Sequence, residues 1–140
     1  MSGLPSIWAL EGRWQLLRVI QHGDGHEDRL EGSATFSRSG PKLIMDEVGT
    51  LKTRGQTLAA KQRYIWEDGT DHLNVYFSDL RPFHMVTLRD PHPTAIHLCD
   101  PDRYEVSYDF SAWPEWHSSW RVEGPRKDYQ MMSHYRRETR

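Results

Sequence analysis

The stretch Trp120-Arg121-Val122-Glu123-Gly124-Pro125-Arg126-Lys127-Asp128-Tyr129-Gln130-Met131-Met132-Ser133-His134-Tyr135-Arg136-Arg137 alternates apolar and polar residues on both sides of a Gly-Pro pair. Such a pair interrupts a β-ladder, so the stretch reads as two strands joined by a turn. In the second strand Tyr129, Met131, Ser133 and Tyr135 share one face, while Gln130, Met132, His134 and Arg136 share the other. An isolated hairpin is only marginally stable in water, so a strand this two-sided requires a larger sheet. The preceding chain is read as that sheet.

Working back from the hairpin, residues 104–110 give the cleanest alternation, with Tyr104, Val106, Tyr108 and Phe110 on one side. Further strands are read over 13–22, 30–37, 42–51, 56–66, 72–78, 83–88 and 94–99. Their separators are turn formers: Gly23-Asp24-Gly25, Ser39-Gly40-Pro41, Gly55, Glu67-Asp68-Gly69, Arg81-Pro82, Asp90-Pro91-His92-Pro93 and Asp100-Pro101-Asp102. In the first strand Trp14, Leu16, Arg18 and Ile20 share a face, and Gly32 and Ala34 are small residues of the kind that mark a bend or close approach. Residues 4–10 form one helical turn in which Ile7, Trp8 and Leu10 plug an apolar surface; Gly12 ends it. No longer helical period is present. About nine or ten strands with short turns predict an all-β, antiparallel up-and-down barrel, which pairs first strand with last and so removes exposed edges.

The 140 residues are read as a single domain, 1–140, long enough for one core. A formal net charge of -2 with interspersed signs provides no field for recruiting nucleic acid or an anionic membrane, so neither is expected as a partner. No apolar run approaches a transmembrane length, and Met1-Ser2-Gly3-Leu4-Pro5 lacks the pattern of a signal peptide; a cytoplasmic location is expected. Cys99 is the sole cysteine, which agrees with a reducing compartment. Six Trp, six Tyr and four Phe suit both a packed β core and the walls of a ligand cavity.

Leu10-Glu11-Gly12-Arg13-Trp14 resembles the Gly-x-Trp signature that opens the first strand of lipocalins and related calycin barrels. That resemblance implies structural roles for Gly12 and Trp14, with an arginine of the last strand, Arg136 or Arg137, packed over the indole; Arg136 is the choice made here. More fully, the chain resembles an uncharacterised family of small bacterial lipocalin-like proteins. The motifs are Gly12-x-Trp14 with Arg18, Gly32-x-Ala34-x-Phe36, Arg63-Tyr64-x-Trp66, Arg81-Pro82-Phe83-His84, His97-x-Cys99-x-x-Asp102-x-Tyr104, Trp116-x-x-x-Trp120, and Gly124-Pro125-Arg126-Lys127-Asp128-Tyr129 with Ser133-x-Tyr135-Arg136-Arg137. They span nearly the whole chain and imply a lipocalin-like barrel without an assigned activity. The sequence departs from the pattern at Asp79-Leu80, where a turn-forming Asp-Gly is expected.

Several constellations can carry chemistry. Arg81 with His84 joins an anion-holding fork to a group that titrates near neutrality; the competing reading is a turn arginine and an outward histidine. His97 and Cys99 share a face, but their spacing with Asp102 is not a metal signature, and no metal site is expected. Arg126 and Lys127 follow a turn, and as neighbours only one can point inward; Arg126 is the choice. Arg18 and Arg63 lie in mid-strand among aromatics, with Asp46, Glu47 or Glu105 as alternative partners. Trp113, Trp116 and Trp120 read as a lid or core plug.

The preferred reading is a barrel that binds a small anionic, partly apolar or aromatic molecule through Arg18, Arg63, Arg81, Tyr104, Arg126 and Tyr135, without a cofactor. An alternative is an enzyme in the same cavity with His84 or His97 as general acid/base; haem ligation by a histidine is a lesser variant. The third is a packed structural or homodimerisation module. A cavity with converging arginine and histidine separates the first two from the last.

Overall fold

The structure is a computed structural model and describes residues 4–69, 71–87 and 90–138. After a 3₁₀ turn at Ile7–Leu10, ten strands follow: β1 (Gly12–His22), β2 (Glu27–Ser39), β3 (Lys42–Thr53), β4 (Gln56–Asp68), β5 (His72–Phe77), β6 (Pro82–Thr87), β7 (Thr94–Cys99), β8 (Asp102–Asp109), β9 (Trp116–Glu123) and β10 (Asp128–Arg137). All pairings are antiparallel, in the order β6-β5-β4-β3-β2-β1-β10-β9-β8-β7. First and last strands pair as expected, Trp14 opposite Arg137 and His22 opposite Tyr129. The sheet is a nearly closed barrel with one seam, between β6 and β7.

Boundaries differ from the sequence reading in instructive places. β2 begins at Glu27 rather than at residue 30, because the polar run Glu27-Asp28-Arg29 hides a strand whose Asp28 points inward and is buried. β9 begins at Trp116, four residues before the expected strand. The expected sixth strand ended at Leu88, which lies outside the described residues. No helix of the described residues is long and apolar enough to cross a membrane.

The two ends of the barrel are unlike. At the closed end, Trp14, fully buried, donates its indole N–H to Leu10 O at 2.8 Å, and Arg137 lies 4.0 Å from the indole centroid. Arg137 also donates to Glu11 O at 2.9 Å and Ala9 O at 2.8 Å, tying the 3₁₀ plug to the last strand. Arg136, the arginine chosen from sequence, is instead exposed and pairs with Glu115 at 3.5 Å; the register of β10 sends alternate residues to opposite faces, and Trp14 and Arg137 are opposite each other. Gly32 and Gly49 face one another across β2 and β3. A Cβ on Gly32 would lie 2.1 Å from Val48 O, so the close approach requires glycine there. The turns 23–26, 54–55, 78–81, 100–101 and 124–127 surround the other, open end.

Candidate functional site

Inward residues of β1, β3, β4, β5, β6, β8, β9 and β10 enclose a chamber halfway along the barrel. Arg18 crosses it. Its Nε donates to Ser133 Oγ at 2.7 Å, and its Nη2 donates to both Glu47 oxygens at 3.0 and 2.9 Å. Tyr135 donates its hydroxyl proton to Glu47 Oε2 at 2.7 Å and stacks on Trp116 with centroids 3.8 Å apart. Burial and the neighbouring Glu47 charge push the Tyr135 phenol well above its ordinary value, so it stays protonated and donates. Glu47 is only 5 % exposed; a buried carboxylate of this kind persists because the guanidinium and phenol both hold it.

His84 reaches the chamber through an irregularity. Val75 pairs with His84 and Tyr76 with Pro82, leaving Phe83 as an extra residue on β6. The bulge breaks the alternation, so Phe83 and His84 are both buried. His84 Nε2 is 2.8 Å from the Tyr108 hydroxyl, across the seam. Burial pushes the His84 imidazole down to about 3, so it is neutral throughout the physiological range. The ring nitrogen Nδ1 of His84 and the indole N–H groups of Trp66 and Trp116 are buried without a hydrogen-bond partner among the described residues, and all three residues line the chamber.

Above the chamber is a mouth lined by Tyr64, Phe77, Tyr104, Trp120 and Tyr129. It shares Arg18, Glu47, Tyr64, Trp120 and Met131 with the chamber, so the two are continuous. The chamber leaves about 30 Å³ for the centres of water-sized molecules and the mouth about 320 Å³. The rings pack edge and face: Trp120 is 4.9 Å from Phe83 and 6.1 Å from Tyr64, and Phe77 is stacked on Phe83 at 4.5 Å.

With this geometry established, the chain can be set beside known proteins. A family model described as a family of unknown function, DUF6314, matches residues 10–137. The chain belongs to the DUF6314 family. No curated protein matches it. Among solved structures it is similar to the S-type phycobiliprotein lyase CPES from Guillardia theta, with a TM-score of 0.70, 12% identity, and coverage of 96% of this chain and 94% of that chain. This likeness establishes the lipocalin-like fold of the DUF6314 chain. At that identity it carries nothing about activity.

The structure sorts the residues named from sequence. Arg18, His84 and Tyr135 face the chamber, Tyr104 the mouth, and His97 the aromatic wall beside the seam, 5.3 Å from the Phe83 ring. Three arginines expected inside are outside. Arg63 is exposed and paired with Asp46 at 2.7 Å, since Tyr64 and Trp66 take the inward positions of β4. Arg81 is exposed on its turn, bonded to Asp79 at 2.7 Å. Arg126 is exposed; its neighbour Lys127 turns in and donates to Tyr104 Oη at 2.9 Å beside Asp102 at 3.0 Å. Those two partners, Tyr104 foremost, raise the Lys127 pKa. His84 is no acid/base near neutrality, for the burial already described. Cys99 is exposed. Tyr64, Trp66, Tyr108 and Trp120 were not singled out as site residues, although the Tyr64/Trp66 and Tyr104/Tyr108 alternation signals aromatic inner walls.

Proposed function

We propose that this DUF6314 barrel binds a small, flat, aromatic or apolar molecule in its mouth, with an acceptor head group directed into the chamber. The observation that carries the reading is the set of buried, unpartnered nitrogens on the chamber wall: Trp66 Nε1, Trp116 Nε1 and His84 Nδ1. Leaving such groups unpaired is costly, typically about 1–3 kcal/mol each, so a site containing three of them is built to receive something polar. The chamber has room for about one or two waters, hence for a head group and not a ring system. The mouth, at the lower end of small-molecule sites of about 300 Å³ upwards, takes the body of the ligand between Tyr64, Phe77 and Trp120.

Pairing of Arg18 with Glu47 narrows the head group. The guanidinium charge is already balanced, so the indole N–H donors suit a carbonyl oxygen as well as a carboxylate. The neutral His84 favours binding over proton transfer, and of the two histidines the enzyme reading is left with His97.

Native mass spectrometry of freshly purified protein, against a denatured control, tests this directly. A non-covalent adduct lost on denaturation is expected, with saturable quenching of tryptophan fluorescence when it is added back. Trp120→Ala should weaken that binding about 10-fold with the circular dichroism of the barrel retained, a loss on the scale of an aromatic contact of about 1 kcal/mol. An apo mass together with no saturable binding of aromatic carboxylates or amides would replace the reading with a water-filled, structural interior.

A further inference from the structure

A second cluster lies on the inner face of the rim and is not part of the chamber. His22 ends β1, His26 follows the turn, and Asp28 is on β2. The alternation that turns Leu16, Arg18 and Ile20 inward does the same for His22, and Asp28 pairs with Ile20. The turn fixes their relation: His22 N–H donates to His26 O at 2.8 Å, Gly25 N–H to His22 O at 3.0 Å, and His26 N–H to Asp24 Oδ1 at 2.8 Å. The imidazoles stack at 5.3 Å, and His22 Nε2 is 2.9 Å from Asp28 Oδ2.

We infer that His22, His26 and Asp28 bind a borderline divalent metal ion of the Zn²⁺ class, with an open coordination position directed at the mouth of the barrel. Two imidazole nitrogens and one carboxylate are a donor set that first-row divalent ions use with positions left free. One ligand atom from each residue lies within 4.8 Å of the others. Ligands about 2.1 Å from a tetrahedral zinc stand about 3.4 Å apart, so only small side-chain rotations are needed.

An independent observation points to the same place. Asp28 is only 7 % exposed, and its Oδ1 is buried without a hydrogen bond. His26 Nε2 lies close against that oxygen as an ion pair. A divalent cation held between the carboxylate and the two imidazoles is bound by the same three side chains. Thr53 Oγ1, 3.4 Å from His26 Nε2, places a further oxygen beside the open position. This is a chelating hairpin of pattern His-x-x-x-His-x-Asp, with His22 and Asp28 on paired strands and His26 in the connection between them.

Isothermal calorimetry with Zn²⁺ on chelator-treated full-length protein should give one equivalent bound. Asp28→Asn and His26→Gln should each weaken it more than about 100-fold, beyond what loss of an outer partner does, with the circular dichroism of the barrel retained. His134→Gln removes the outward stacked pair His117/His134 beside Glu115, the rival imidazole site, and should leave Zn²⁺ affinity unchanged. Co²⁺ should give a visible absorption band that Asp28→Asn abolishes. Sub-stoichiometric binding by the wild type, binding that survives in both rim variants, or binding lost in His134→Gln would each overturn the proposal. The readout is metal alone, so it is separate from the fate of the ligand reading.

Discussion

The floor of the barrel and the chamber above it are built from the same kinds of residue and differ in how their polar atoms are treated. On the floor the Trp14 indole N–H has Leu10 O, and Trp113 packs against the ring with centroids 5.6 Å apart. One layer up, Trp66 and Trp116 are as deeply buried, but their N–H groups have no acceptor among the described residues, and a guanidinium, a carboxylate and three phenols share the space. Trp116 touches both layers, 6.0 Å from Trp14 and 3.8 Å from Tyr135. The lesson is that aromatic burial alone does not describe a layer; unsatisfied donors distinguish the chamber wall from the packed floor.

Four substitutions break or sharpen that comparison. The largest effect is expected on the floor: Trp14→Ala should cost about 4 kcal/mol in urea unfolding, by lost transfer and cavity formation, and a cost below that of an exposed aromatic would show that the plug is not structural. Next, Glu47→Gln leaves the buried Arg18 without its counter-charge and should cost about 3 kcal/mol, a typical figure for breaking a buried pair. Arg18→Met with Glu47→Gln should recover part of that loss; a double variant no more stable than Glu47→Gln alone would show that the unpaired guanidinium is not the source of the cost.

The third concerns His84. Its folded value is about 3 against an ordinary 6.5, so the folded state resists protonation that the unfolded chain accepts. Stability from this group is therefore complete above pH 6.5 and lost as pH falls towards 3. Between pH 6.5 and pH 4.5 the loss should be about 2–3 kcal/mol, and the difference between wild type and His84→Gln in urea midpoints across that window isolates it. An identical slope in the two proteins would mean that His84 titrates normally. The smallest effect is at the rim: Leu80 has a φ of +72°, a region costly for a side chain, so Leu80→Gly should stabilise by about 1 kcal/mol in thermal unfolding. This is the position where the sequence departs from an Asp-Gly turn, and the chain nevertheless makes the turn, with Leu80 N–H bonded to Phe77 O at 2.9 Å.

The barrel was legible because alternation is local: Tyr129 through Tyr135 gave the face of β10, and Trp14 through Ile20 that of β1. The site was legible only in part. Arg18 follows the alternation and was placed correctly on the inner face, whereas Arg63 carries the same charge in the same kind of strand and lies outside, because Tyr64 and Trp66 won the inner positions. His84 escaped simple alternation because a bulge admits Phe83 and His84 to the same side. At the last turn, adjacent Arg126 and Lys127 offered one inward place; Tyr104 and Asp102, residues of β8 that the hairpin cannot see, drew Lys127 into it.

By itself the sequence determined the strand count, the antiparallel order and which residues of the clean strands share a face, since these follow from periodicity and turn chemistry over a few residues. Tertiary structure decided which charges are buried, which indole nitrogens lack a partner, and that His22, His26 and Asp28 meet at the rim. The first two depend on the register between strands and on the enclosed space, quantities that exist only once β1 has closed against β10, and the third on the register that the β1–β2 turn sets.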